Sequence, residues 1–254
     1  MRIALVAVLC WLVASAAGTT LQDDFESATG LTWSISSGTA GRVAATGEPR
    51  LAGIPTPSGT HVFKQSVDGD TGGARYALTG APTQDMTVEA WVFCEGNDGP
   101  TKRGGYQGVL ARASLTGGTH MIRLAWDPDH TEPGINGDGW VKLQAYNGSN
   151  WDYLGIDFAQ FGAATPGYIV NGTAWPSSWR RFKLVVSGNS VAAYVGDMDI
   201  PVVTGTMAIT LRDGGAGFYL FSSGDYAGYY DDFAMTVQPP PVRDYDVLIR
   251  GGTV

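Results

Sequence analysis

Five aromatic residues gather in the middle of the chain: Trp126, Trp140, Tyr146, Trp151 and Tyr153. They surround Asn147-Gly148-Ser149 and flank the acidic stretch 127–139, DPDHTEPGINGDG. A flat aromatic face beside polar groups is what a sugar ring stacks on, so these five are the candidates for binding a glycan. Trp140 and Trp151 fall near strand starts, where a ring can reach the surface. Trp91 and Trp179 are expected in the core. The groups that hydrolysis needs are harder to find. Glycoside cleavage requires two carboxyls flanking the scissile bond at a defined separation. The glutamates are Glu26, Glu48, Glu89, Glu95 and Glu132. Glu89 and Glu95 flank the Trp91 segment without an aspartate between them, and Glu89 reads as a solvated strand residue. His61, His120 and His130 stand far apart, which gives no His-x-His and no zinc set. No Gly-x-Ser-x-Gly supports a serine nucleophile, because Leu220-Phe221-Ser222-Ser223-Gly224 lacks the first glycine. Gly214-Gly215-Ala216-Gly217 opens no helix and reads as a turn rather than a phosphate cradle.

Asp24-Phe25 and Asp232-Phe233 repeat one dipeptide at the two ends of the domain. Strand neighbours face opposite sides, so if both phenylalanines point inward both aspartates point out. Carboxylate oxygens suit Ca²⁺, and exposed acids also blunt sheet edges. The 127–139 stretch does not match a calcium loop: Thr131 and Glu132 stand where an EF-hand needs a ligand and a glycine.

The elements that must position these residues are strands. Of 254 residues, 36 are Gly and 13 are Pro, with many Thr, Ser and Val, a mixture that breaks helices and favours strands and turns. Residues 87–94 (TVEAWVFC) alternate, with Val88, Ala90, Val92 and Cys94 on one face. Residues 108–113 and 120–126 form one expected pair. Residues 140–146 and 151–156 form a hairpin across Asn147-Gly148-Ser149. Residues 179–186 and 191–195 form another across Ser187-Gly188-Asn189-Ser190. Strands over 216–221 and 230–237 close the domain. Residues 97–107 and 127–139 are long polar loops.

Composition bounds the setting. Arg2, the apolar run 3–13 and Ala14-Ser15-Ala16 match a cleaved signal peptide over residues 1–17, which implies a secreted or periplasmic protein. Cys10 falls inside the apolar run and is badly placed for lipid attachment, which leaves Cys94 alone with no internal disulfide to form. The formal charge of −8 argues against nucleic acid and anionic lipid as partners. No later segment is long and apolar enough to be a transmembrane helix. Asn147-Gly-Ser and Asn171-Gly-Thr match glycosylation sequons, which count only in a eukaryotic secretory pathway.

Taken in order, TVEAWVF, SSWRRFKLVVSGNSVAAYVGD and GFYLFSSGDYAGYYDDFAMTV resemble the laminin-G-like, concanavalin-A-like jelly rolls. The opening LQDDFE with Trp33 fits the same pattern, and the likeness spans about residues 21–237. It implies an all-β fold, a two-sheet antiparallel jelly-roll sandwich of the lectin/glucanase type, whose members mostly bind glycans or proteins. Some members are glucan hydrolases with Glu-x-Asp-x-x-Glu or Glu-x-Asp-x-Glu on one strand, and neither pattern occurs here. The resemblance also implies a structural Ca²⁺ held by the aspartate before the last aromatic, which maps onto Asp232, with Asp24 and Gly41 as partners. After residues 238–244, which include Pro239-Pro240-Pro241 and read as a stiff linker, residues 245–254 (YDVLIRGGTV) resemble the opening strand of metal-dependent amidohydrolases of the D-aminoacylase and dihydroorotase-like groups. A covalently linked downstream domain is therefore expected, the sandwich occupying 18–237. The functional expectation is an exported, non-catalytic binding module for a glycan or cell-surface polymer. The alternatives are a glycoside hydrolase with a non-standard carboxylate site, and a structural or protein-interaction domain.

Overall fold

Val88, Ala90, Val92 and Cys94 alternate along one strand, and each is at most 1% exposed. Their alternation is the rule of the whole molecule. The computed structural model describes residues 18–36, 38–66, 73–83, 85–94, 105–115, 120–127, 140–156, 177–209, 211, 213–222 and 227–238. The signal-peptide segment, the linker beyond Gln238, the 245–254 tail, most of both long polar loops, Glu95, Glu132, His130 and the Asn171 sequon lie outside the described residues.

Fifteen strands are described: β1 (Thr19–Asp23), β2 (Ser34–Ile35), β3 (Thr39–Ala44), β4 (His61–Ser66), β5 (Gly73–Thr83), β6 (Met86–Cys94), β7 (Gly105–Ala113), β8 (Met121–Asp127), β9 (Trp140–Tyr146), β10 (Trp151–Ile156), β11 (Ser178–Ser187), β12 (Ser190–Val195), β13 (Val203–Thr206), β14 (Gly214–Ser222) and β15 (Ala227–Val237). Sheet I has the order β13-β12-β11-β6-β15-β4-β3, with β1 also paired to β15. Sheet II has the order β10-β9-β8-β7-β14-β5-β2. All described pairings are antiparallel. The architecture is the all-β, two-sheet jelly-roll sandwich expected from the sequence.

The inner faces supply the core. Val88 and Val92 of β6, Leu184 and Val186 of β11, Val109 of β7, Leu124 of β8, Leu143 of β9 and Phe218 of β14 belong to one buried cluster between the sheets. Both hairpins form as expected. Tyr146 faces Trp151 across residues 147–150, where the Asn147 carboxamide oxygen accepts from Ser149 N and Asn150 N. Ser187 faces Ser190 across Gly188-Asn189, with Gly188 at φ +55°. The Gly214–Gly217 segment is not a turn. It opens β14, where Gly217 lies so close to β5 that a Cβ would sit 1.9 Å from the Ala77 carbonyl oxygen.

Phe25 and Phe233 both point inward, which meets the condition set for the repeated dipeptide. They join Trp33, Phe63 and Phe218 in an aromatic cluster at one end of the core, with Trp33 stacked on Phe218 at 5.1 Å. Buried Asp23 organises the entry to this cluster. Its carboxylate accepts from Phe25 N, Leu31 N and Trp33 Nε1.

Trp91 and Trp179 depart from expectation. Both are half-buried on the outer side of sheet I, not between the sheets. Trp179 packs edge-on to Phe93, which is buried although it alternates with the core-facing residues of β6. The reason is a cover. The segment after β3, with its 3₁₀ turns Ala45–Gly47 and Pro49–Leu51, lays Leu51 and Ile54 over Val62, Phe93 and Tyr229.

Candidate functional site

Sheet II carries a second apolar cluster on its outer face, separate from the core. Leu78 of β5, Leu110 of β7, Met121 and Ala125 of β8 and Tyr219 of β14 are buried in it, and Tyr76, Tyr106, Tyr146 and Phe221 pack against it half-exposed. Strand alternation puts them there. The partners of these residues along each strand, such as Val109, Ile122, Leu124 and Phe218, fill the core. Close strand approach keeps part of the floor low. A Cβ on Gly108, which pairs with Ala125 and Tyr219, would lie 2.0 Å from the Leu124 carbonyl oxygen.

Polar groups are threaded through these rings. Arg123 of β8 pairs with Gln144 of β9 in the ladder, and their side chains meet on the outer face. Arg123 Nε donates to Gln144 Oε1 at 2.8 Å, Nη2 donates to the same oxygen at 2.5 Å, and Nη1 donates to the Tyr219 hydroxyl. The guanidinium carbon lies 4.2 Å from the Trp151 ring centroid, 4.7 Å from that of Tyr219 and 5.6 Å from that of Tyr106. Cation–π contacts of this kind hold both partners in place. Lys142, two residues before Gln144, sets Nζ 4.4 Å from the Tyr106 ring centroid. Trp151 is 38% exposed and stacks on Tyr146 at 4.6 Å. Its neighbour Asp152 turns away from this face and accepts a hydrogen bond from Ala208 N.

Two phenols of this face are held in the protonated form. Burial, reinforced by the neighbouring Tyr219, pushes Tyr76 up to about 12. Burial also raises Tyr219, against the pull of Arg123. Both hydroxyls therefore remain donors and acceptors across the neutral range.

Of the five aromatics singled out in the sequence, Tyr146 and Trp151 come together on this face. Trp126 does not. It is 6% exposed and belongs to the inter-sheet core, because it shares the inward alternation of Ile122 and Leu124. The backbone of Trp140 pairs with Asp127 and that of Tyr153 with Gln144, while their side chains lie outside what is described. Sequence reading missed Arg123, Lys142, Gln144, Tyr76, Tyr106 and Tyr219. The first three were accessible. An arginine between Ile122 and Leu124, and Lys-x-Gln-x-Tyr along β9, are polar residues at strand period. Tyr76, Tyr106 and Tyr219 join only because β5, β7 and β14 are sheet neighbours.

The expected calcium ligands are only partly assembled. Asp24 is exposed and its carboxylate accepts from Glu26 N. Arg42 donates to the carbonyl oxygens of Phe25 and Glu26, so a guanidinium occupies the opening-segment oxygens that a cation would use. Gly41 pairs with Lys64 in the β3–β4 ladder. Asp232 fits better. It takes φ +48° at the bulge where β15 exchanges β4 for β1 as its neighbour. There Ser58 Oγ lies 2.9 Å from Asp232 Oδ1 and 3.2 Å from Asp231 Oδ1, and Ser58 N donates to Asp231 Oδ2. Burial, with the adjacent Asp232 charge, pushes Asp231 up to about 7, against the hydrogen bond from Ser58 N. Two adjacent carboxyls and a hydroxyl form an oxygen donor set that a hard cation suits. Among the described residues, no group of three or more His, Cys, Asp or Glu is placed to hold a metal.

Two of the glutamates weighed for hydrolysis are engaged elsewhere. Glu89 Oε2 accepts from Arg181 at 2.6 Å, and Glu48 Oε2 accepts from both Lys64 and the Tyr229 hydroxyl.

No family model and no curated protein sequence matches the chain. Solved structures do. A native glycosidic hydrolase is 12% identical over 89% of this chain and 99% of its own, with a TM-score of 0.53. A Bacillus subtilis protein of galectin-like fold and unknown function is 12% identical over the same shares, with a TM-score of 0.51. The Bacillus subtilis carbohydrate binding module CBM66 is 16% identical over 82% of this chain and 94% of its own, with a TM-score of 0.46. At these identities the likeness is one of fold. Among the described residues, no helix is long and apolar enough to cross a membrane.

Proposed function

We propose that the outer face of sheet II is a carbohydrate-binding platform and that the domain acts as a binding module. The fold itself hosts both binding and hydrolysis, so the site must decide. The observation that carries the reading is Trp151: an exposed indole, stacked on Tyr146 and backed by Arg123, at the rim of a face rich in tyrosines. Rings held in place in the free protein lose little conformational freedom on contact with a sugar, which favours affinity. Gln144, Lys142 and the tyrosine hydroxyls supply directional hydrogen bonds beside the rings. The described side chains of this network include no carboxylate, which favours binding over hydrolysis. The backbone of Trp140 opens the same strand, so Trp140 belongs in the test.

A glycan array probed with the full chain, Trp151→Ala and Trp140→Ala checks this. The expected result is a set of glycan hits that Trp151→Ala weakens at least tenfold. Hits indifferent to Trp151→Ala would remove the face from consideration.

The calcium expectation is carried as a proposal about stability, placed on Asp232 with Asp231 and Ser58. The oxygen set and the raised Asp231 support it, because a cation would relieve the repulsion of two adjacent carboxylates. Addition of Ca²⁺ at pH 8 is expected to raise the Tm by several degrees, and Asp232→Asn is expected to abolish the rise. An unchanged Tm with added Ca²⁺ and with chelator rejects it.

A further inference from the structure

The cations of the sheet II face point to the charge of the ligand. Arg123 is 8% exposed and Lys142 is 7% exposed, although both side chains leave the outer side of the sheet. Ala125 pairs with Lys142 and Arg123 pairs with Gln144, so the two cations stand on adjacent strands, one alternation apart. Both lie against the same Tyr106 ring, in a chain of net charge −8.

Every partner of Arg123 is neutral. Its donors go to the Gln144 carboxamide and the Tyr219 hydroxyl, and its planar faces go to Trp151, Tyr219 and Tyr106. It forms no ion pair among the described residues. This contrasts with Arg112, also buried, which meets Asp85 at 3.1 Å, and with Lys64, which meets Glu48 at 2.8 Å. A buried cation without a counter-charge is unfavourable for folding, and hydrogen bonds to neutral groups offset that only in part. A guanidinium has five N–H donors and the described contacts use three, so donors remain for another acceptor. An anionic ligand supplies both the missing charge and the acceptor. A neutral sugar would leave the arginine uncompensated.

Resting on the platform reading above, we propose that this face binds an acidic glycan, its anionic oxygens being a carboxylate or a sulfate ester. Lys142 and Arg123 attract the anionic group, and Trp151 with Tyr146 receives the sugar ring. The surrounding negative charge repels a polyanion at long range, so the attraction is confined to contact distance and falls with added salt.

Affinity electrophoresis of the full chain in native gels tests this. The embedded polymers are polygalacturonate (carboxylate), dextran sulfate (sulfate), and neutral laminarin and dextran. The variants are Lys142→Met, Arg123→Lys and Trp151→Ala, with Glu89→Gln as a control on the other sheet and thermal melts to verify folding. The expected result is retardation by an acidic polymer but not by the neutral ones. It weakens at least tenfold in Lys142→Met and in Trp151→Ala, falls as salt rises from 50 to 300 mM, and is unaffected by Glu89→Gln. Which acidic gel retards the protein assigns the group as carboxylate or sulfate. Arg123→Lys keeps the charge but loses the fork to Gln144, so a folded Arg123→Lys protein should bind more weakly. Retardation by a neutral polymer that Trp151→Ala abolishes and Lys142→Met leaves intact overturns the acidic assignment and keeps the platform. Acidic retardation indifferent to both variants, or no retardation in any gel, overturns the platform and the assignment together.

Discussion

Both sheets carry aromatic residues on their outer faces, and the molecule treats the two faces differently. On sheet I, Phe93, Trp179 and Tyr229 lie under the segment that holds Leu51 and Ile54. One cation of that face, Lys64, has a carboxylate in Glu48, whose own charge is favoured by Lys64 and the Tyr229 hydroxyl despite partial burial, and another, Arg181, has one in Glu89. On sheet II, Trp151 is exposed, tyrosines are half-exposed, and Arg123 rests against neutral groups. Aromatic content therefore does not mark a binding face. The difference lies in whether a segment of the chain returns over the rings, as the one holding Leu51 and Ile54 does on sheet I. Where it does, the rings stabilise the fold. On sheet II the described residues leave Trp151 uncovered and set Arg123 against neutral groups.

The comparison breaks most sharply at Phe93. Phe93→Ala removes a fully buried ring beneath the cover and should cost about 3–5 kcal/mol of stability, read by urea denaturation, with glycan binding by the residual folded protein unchanged. Trp151→Ala is the mirror case. Binding should fall at least tenfold, about 1.4 kcal/mol, while stability moves by less than about 1 kcal/mol. If Trp151→Ala instead destabilised the protein as Phe93→Ala does, the two faces would be alike and the contrast would fail.

A smaller effect sharpens the sheet I side. Asp231, paired with Trp91 in the ladder, has its folded value raised to about 7 from 3.8. The folded state therefore holds a proton that the unfolded state releases between those values. Asp231's contribution to stability is complete below about pH 3.8 and is lost as the pH rises through 7. Asp231→Asn, which stays neutral, should not show that loss. Melts from pH 4 to 8 should show wild type declining relative to the variant by an amount on the order of 1 kcal/mol. Parallel curves would contradict the raised value. The smallest effect belongs to Glu89, also on sheet I, whose pairing with Arg181 is solvent-screened. Glu89→Gln should shift stability by less than about 0.5 kcal/mol and leave binding untouched.

Part of the fold and of the candidate site was readable in the sequence, and the rest was not, for definite reasons. The alternation of residues 87–94 placed Val88 and Val92 in the core correctly, but it carries no sign of the cover that buries Phe93 on the other side. Alternation reports which side of a sheet a residue takes, not whether a loop returns over that side. Trp126 shows the reverse. It neighbours the other candidate aromatics in sequence, but strand parity sends it into the core. Tyr146 and Trp151 were found because a hairpin makes them sequence neighbours as well as ladder partners. Arg123 and Tyr219 meet across 96 positions, and no local signal joins them.

By itself, the amino-acid sequence determined the all-β class, the hairpin at Asn147 and the inward alternation of Val88, Ala90, Val92 and Cys94. These follow from period-two hydrophobicity and turn chemistry, which act over a few residues. Only the tertiary structure decided which outer face is covered, that Asp231 and Asp232 share Ser58 from a distant loop, and that Arg123 sits among rings drawn from several strands of sheet II. Those outcomes depend on strand order and on the path of loops between strands. Both bring distant residues together, and neither leaves a periodic mark on the chain.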